Sequence, residues 1–327
     1  MAIDPTRFCI NRKIAPRLSL EAFFQLVQRL GLSKVELRND MPGGSVTDDL
    51  SPDQLRALTD QYHIDIVTIN ALYPFNRMDD ALLNRAGALL QTAQQIGAKA
   101  LVMCPLNEGI AVSPQQTQAA MQALAPHFAH YGIQGLVEPL GFPVSSLRSI
   151  VQAQELIAAA GVPFKLLLDT FHHHLYENAE QEFPAGIDID QIGLVHLSGV
   201  EDRRPTAELT DDERIMLSDN DVLKSVAQVK RLEKLGYKGI YAFEPFSGSS
   251  TAGPRQRLNA RSATVLNCFR PEACCSQNLY VYLCLQRRYG PLLGHFFILK
   301  RRPLLAAMPD AAAGAACRKT PHRLIAP

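Results

Sequence analysis

Two hydrophobic rhythms alternate along the chain. Short runs that are apolar almost throughout are separated by longer stretches whose apolar positions recur every three or four residues. The short runs read as strands buried on both faces, and the longer stretches as amphipathic helices packed against them. In order, the runs are Arg7 to Asn11, Lys34 to Arg38, Asp65 to Asn70, Ala98 to Cys104 and Gln134 to Glu138. Pro163 to Asp169, Ile192 to His196 and Gly239 to Glu244 complete the set. Between them, helices are predicted from Ser19 to Leu30, from Ser51 to about Tyr62 and from about Asp79 to Ile96. Others run from Ser113 to Tyr131, Ser146 to Ala160 and Asp219 to Leu235. Serine or aspartate opens each helix, and Gly31 closes the first. Eight strands alternating with helices predict an α/β chain folded as a (β/α)8 TIM barrel. An open doubly wound sheet is the alternative, but no G-x-G-x-x-G joins a strand to a helix and no Walker A loop appears.

Composition divides the chain in two. Of its 327 residues, 47% are hydrophobic and 20% charged, ordinary values for a globular protein. The net charge of +1 hides an asymmetry. From Thr251 onward twelve Lys and Arg face only Glu272 and Asp310, so that segment carries +10 and the remainder −9. Five of the seven cysteines (Cys268, Cys274, Cys275, Cys284 and Cys317) lie in the same segment, leaving Cys9 and Cys104. Residues 1–247 therefore read as the catalytic barrel, acidic and cysteine-poor as expected for reducing cytoplasm. Residues 248–327 are an atypical, basic, Cys- and Arg-rich tail with no sustained apolar period. The tail is expected to be poorly ordered or the product of a shifted reading frame, with a basic appendage for an acidic partner as the alternative. The start MAIDPTRFCINRK has no apolar signal region, and no run of about 18 apolar residues exists to cross a membrane. The expected partners thus exclude nucleic acid and membrane.

The chemistry gathers at strand ends. The run PFKLLLDTFHHH closes on Asp169 and is followed by His172, His173 and His174. Taken alone, it reads equally well as a helix cap followed by solvated histidines. The neighbouring runs change the balance, because they end in Glu138, His196 and Glu244. In a barrel these positions converge at the C-terminal mouth, where an isolated carboxylate is costly unless paired or metal-bound. Three carboxylates and one imidazole suit one divalent ion, Mn, Mg, Co or Zn, with Zn less favoured as oxygen ligands increase. Asn11, Glu36, Arg38 and Asn70 end earlier strands, where they suit either hydroxyl binding or a structural role. Cys104 has no base assigned to it and reads as a small core residue.

At these residues the chain resembles the xylose-isomerase-like barrel superfamily of sugar isomerases and epimerases, and within it the inosose (2-keto-myo-inositol) isomerases of inositol catabolism. The matching segments are TINALYPFNRMDD (Thr68 to Asp80), VEPLGFP (Val137 to Pro143) and LLDTFHHH (Leu167 to His174). VHLSGVED (Val195 to Asp202), LTDDER (Leu209 to Arg214) and FEPF (Phe243 to Phe246) complete them. The resemblance spans Arg7 to Ser247 and implies that Glu138, Asp169, His196 and Glu244 hold one divalent metal. It further implies substrate contacts from His172 and Arg214, a match of His174 to the family's F-H-x-H run, and isomerisation of a keto-inositol or ketose through an enediol. Glu138 and Glu244 would exchange the proton, and Asn70 is added as a substrate-binding residue. A polyol or keto-sugar is then the partner, with room for a homo-oligomer. In the family, Arg214 precedes a P-G-x-G turn; here IMLSDND follows instead, so the loop at the pocket is expected to differ. Rival readings are an inosose or dehydroshikimate dehydratase on the same metal site, a nuclease resembling endonuclease IV, and a non-catalytic sugar-binding barrel. A nuclease wants a multi-metal cluster and a basic face, and the retained ligands speak against a mere binding module.

Overall fold

The computed structural model describes residues 3–246. Its elements are β1 (Phe8–Asn11), α1 (Leu20–Arg29), β2 (Lys34–Arg38), α2 (Pro52–Tyr62), β3 (Asp65–Leu72), α3 (Asp80–Ile96), β4 (Ala100–Met103) and α4 (Pro114–Tyr131). They continue with β5 (Gln134–Val137), α5 (Ile150–Ala160), β6 (Lys165–Asp169), α6 (Thr170–Leu175), α7 (Ala179–Gly186), β7 (Ile192–Leu197), α8 (Ser225–Lys234) and β8 (Ile240–Phe243). The strands are parallel and pair in sequence order, and β8 returns to β1 through Phe8–Tyr241 and Ile10–Phe243. The expected (β/α)8 TIM barrel is the observed fold. Among the described residues no helix is long and apolar enough to cross a membrane.

Helix starts follow capping chemistry. Ser51 and Ser113 each accept from the N3 backbone while Gln54 and Gln116 reach back to the cap, and Pro52 and Pro114 occupy the first turn. Each capping box answers two backbone donors that the first turn of a helix leaves unpaired. Asp79 and Ser149 cap α3 and α5 through Leu82 N–H and Gln152 N–H.

Strand alternation decides what reaches the mouth. Successive side chains of a strand point to opposite faces. Val137, Leu168, Val195 and Phe243 face out into the main core beneath the helices. Leu136, Leu167, Leu194 and Ala242 face in and form the barrel floor with Cys9, Val67, Ala100 and Val102. Full burial of each leucine contributes roughly 1.5–3 kcal/mol, so this floor fixes the phase of β5, β6 and β7. One step beyond the floor on the same face come Glu138, Asp169, His196 and Glu244. The pattern that packs the barrel is therefore the pattern that presents those four side chains.

Several boundaries differ from expectation. β3 runs past Asn70 to Leu72, which pairs with Met103. β7 includes Leu197, paired with Phe243. α5 begins at Ile150 rather than Ser146, because Leu147 C=O, which a helix from Ser146 would offer to Val151 N–H, instead accepts from Leu140 N–H (3.0 Å), and Ser149 becomes the cap. α8 begins at Ser225 rather than Asp219, α6 is the helix that the capping reading of Asp169 implied, and α7 was not expected. The histidines after Asp169 are not solvated as the capping reading supposed, since His172 and His173 are buried. The tail of residues 248–327, with the expectation about its ordering, lies outside the described residues.

Candidate metal centre

Glu138, Asp169, His196 and Glu244 each offer one ligand atom, and these atoms all lie within 4.8 Å of one another in a buried cluster. His196 is fully buried at its centre. Its Nδ1 lies 3.0 Å from Glu244 Oε2, 3.2 Å from Glu138 Oε1 and 3.7 Å from Asp169 Oδ2. Burial would lower the imidazole pKa, but the charges of Glu244, Glu36 and Glu138 outweigh it and raise the value well above the ordinary one.

Asp169 serves two purposes at once. Its Oδ1 accepts from Phe171 N–H (2.7 Å) as the cap of α6, while Oδ2 turns to the cluster. The capping reading and the ligand reading of this residue are thus both met, by different oxygens. Arg214 Nη2 donates to that Oδ2 (2.5 Å) and to Glu244 Oε2 (2.9 Å). Its Nε donates to Ser198 Oγ (3.1 Å) and its Nη1 to Asp211 (3.0 Å). The guanidinium is held between the rings of Phe171 and Phe246, at 4.9 and 4.7 Å from their centroids. On the other side, Arg38 Nη1 donates to Glu244 Oε1, joined there by Asn11 Nδ2 (3.1 Å) and Asn70 Nδ2 (3.2 Å). Burial alone would raise the Glu244 carboxyl, yet His196, Arg214 and Arg38 hold it well below the usual range. Asp169 is lowered against burial in the same way, chiefly by Arg214.

The sequence-predicted residues sort clearly. The four expected ligands come together, and Arg214 and Asn70 bond to them directly. His172 is buried in α6 with its ring edge-on to Phe142 (5.0 Å) and Phe171 (5.3 Å). Gly141 makes this possible, because a Cβ there would lie 2.0 Å from the His172 carbonyl oxygen. His173 turns away to Glu182 (3.4 Å) and Phe183, and half-buried His174 has its pKa lowered, chiefly by burial. The loop after Arg214 takes a form the missing glycines did not suggest. Ile215 bridges to Gly199, and the Asp221 carboxylate accepts from the backbone N–H of Val200, Leu223 and Ser225. Cys104 is more than a core spacer: its Sγ donates to Glu138 Oε2 (3.3 Å), and burial followed by Glu138 raises the thiol far above its ordinary value. Glu36, weighed only as a strand-end candidate, proves to be the partner of the other His196 nitrogen at 3.0 Å. Its signal in the sequence was a lone glutamate in an otherwise strand-like run.

The donor set itself tests the fit to a cation. Three carboxylates and one imidazole converge in a buried site, which is an oxygen-rich set suited to Mn, Mg, Co or Zn. A xylose isomerase domain containing protein from Salmonella typhimurium LT2 is 62% identical, covers 76% of this chain and 93% of its own, and superposes with a TM-score of 0.75. An inosose isomerase of Halalkalibacterium halodurans is 25% identical over 228 residues, or 67% of this chain and 80% of the relative. The IOLI protein, solved with a bound zinc atom, shares the fold at 21% identity and a TM-score of 0.66, covering 81% of this chain and 95% of its own. With the family match running over residues 24–267, this chain belongs to the xylose isomerase-like TIM barrel family.

Proposed function

We propose that the protein is a divalent-metal-dependent isomerase of a keto-inositol or related ketose, an inosose isomerase, working by proton transfer through an enediol. The observation that carries the proposal is the buried convergence of Glu138, Asp169, His196 and Glu244 at the C-terminal end of the barrel. The names of the relatives support the substrate class, and the zinc in the IOLI structure supports a divalent ion.

Glu138, Asp169, His196 and Glu244 would hold the ion, whose Lewis acidity offsets negative charge growing on the substrate oxygen. The remaining chemistry belongs to the chain. Glu138 Oε1 and Glu244 Oε2 flank the cluster, each within 3.2 Å of His196 Nδ1. One removes the proton beside the ketone, and the other returns a proton to the neighbouring carbon. In this reading Arg214 and His172 would stabilise the developing oxyanion, and Asn70 would orient a hydroxyl. Glu138→Gln or Glu244→Gln should lower kcat by about 10²- to 10⁴-fold, the range for removing an acid–base group. Incubating the protein and each candidate ion with 2-keto-myo-inositol in D2O, without nicotinamide, should move the ketone to the adjacent carbon with solvent hydrogen incorporated. Product formation that strictly requires added NAD, or full turnover in EDTA with no metal detectable, overturns the proposal.

A further inference from the structure

We infer that Glu36 is the positioning residue of this centre: it fixes the His196 proton on Nε2 and turns Nδ1 to the acids. The inference rests on the metal reading above and deepens it. Glu36 sits on β2 and His196 on β7, and both are completely buried. Glu36 Oε1 lies 3.0 Å from His196 Nε2 and accepts from Thr68 Oγ1 at 2.7 Å. Its Oε2 accepts from Asn11 Nδ2 at 2.9 Å.

The two sides of the imidazole are chemically unlike. On the Nε2 side one carboxylate meets two other donors, Thr68 and Asn11, and the ring N–H completes the set. On the Nδ1 side the oxygens of Glu138, Asp169 and Glu244 converge with acceptors in excess. A lone pair directed there, among those oxygens, completes a cation site. With the Nδ1 lone pair given to an ion, the ring keeps its proton on Nε2, where Glu36 accepts it. An imidazole ligand held through its second nitrogen by a carboxylate is oriented and made more basic. Asn11 extends the arrangement, because the same Nδ2 that holds Glu36 also reaches Glu244 Oε1 at 3.1 Å. A glutamine at position 36 cannot reproduce it. Three donors point at the Glu36 carboxylate, and an amide offers them only one oxygen, with its NH2 facing a donor.

The test compares wild type with Glu36→Leu, Glu36→Gln and Thr68→Val. Zinc affinity is read by competition with a chromophoric chelator, and the His196 ring by 15N NMR of the zinc-loaded protein. The wild type should bind through Nδ1 with a hydrogen-bonded Nε2–H. Glu36→Leu should lose about 10- to 100-fold in affinity, the usual cost of removing such a partner. Glu36→Gln should lose less, and both should shift the Nε2 resonance or exchange the bound nitrogen. Thr68→Val, which leaves Glu36 in place, should lose only a few-fold. Glu36→Gln carries the test should Glu36→Leu not fold. Folded Glu36 variants that bind zinc as wild type does, with unchanged His196 resonances, overturn the inference alone. A wild type that binds no divalent ion overturns the metal reading and this inference with it.

Discussion

Glu244 and Glu138 carry the same side chain in different surroundings. Both lie beside the His196 ring, but Glu244 also receives two guanidinium and two amide donors, whereas Glu138 adds only the Cys104 thiol. Glu244 is therefore an anion stabilised by the fold, with a folded pKa depressed below its unfolded value. The sign of its pH dependence follows. Its contribution is fully present above the ordinary carboxylate pKa of about 4.3, and is lost as pH falls through the depressed folded value. Stability of the chelator-treated protein should accordingly fall steeply below about pH 4.3, read by urea unfolding across the acid range. Glu244→Gln should flatten that limb and cost about 3–5 kcal/mol at neutral pH, because Arg38 and Arg214 are left buried with less opposing charge. Equal acid slopes for variant and wild type would show that the carboxylate is not held in this way.

Among the elements, what the sequence made legible was whatever period and capping decide. The strand runs, the serine-capped α2 and α4, and the acids and imidazole ending β5 to β8 all follow from local pattern. The residues that escaped were settled by contacts distant in sequence. Ser146 looked like the start of α5, but the chain there is drawn to Leu106 C=O through Ser146 N–H and to Leu140 N–H through Leu147 C=O, which leaves Ser149 as the cap. Glu36 could not be paired with His196 from sequence, because 160 residues separate them. Asp219 looked like the start of α8, but Asp221 draws the backbone of Val200, Leu223 and Ser225 onto one carboxylate, and Lys224 enters a left-handed conformation at φ 54°. That turn closes the loop delivering Arg214. Asp221→Ala should cost about 1–3 kcal/mol for the stranded backbone donors and raise KM through a loosened Arg214. Asp221→Asn keeps Oδ1, which serves Val200 and Leu223, and should lose less. Thermal melts and steady-state kinetics on both variants check the order, and equal losses in the two would contradict it.

For the whole molecule, the architecture makes ion binding a matter of global stability. The four candidate ligands come from the ends of β5 to β8, half the strands of a barrel whose closure depends on β8 pairing back to β1. Neighbouring registers lock them as a group, since Asp169 pairs with His196 and Glu244 N–H donates to Leu197 C=O at 2.8 Å. Unfolding separates all four, so an ion bound there is released when the barrel opens. Ligand that binds only the folded state stabilises it by about 2.7 kcal/mol at a free concentration 100 times Kd. For a domain of this size each kcal/mol moves the midpoint by about 2–4 °C, giving a rise of about 5–10 °C. The midpoint should climb with the logarithm of ion concentration, fall back on adding EDTA, and rank Mn, Mg, Co and Zn by affinity. Asp169→Asn should remove most of the shift, because it alters a ligand while leaving the Oδ1 cap of α6 available. Differential scanning calorimetry over the four ions provides the measurement. A midpoint indifferent to all of them, in protein shown free of metal at the start, would mean that the converged acids serve the arginines and His196 alone.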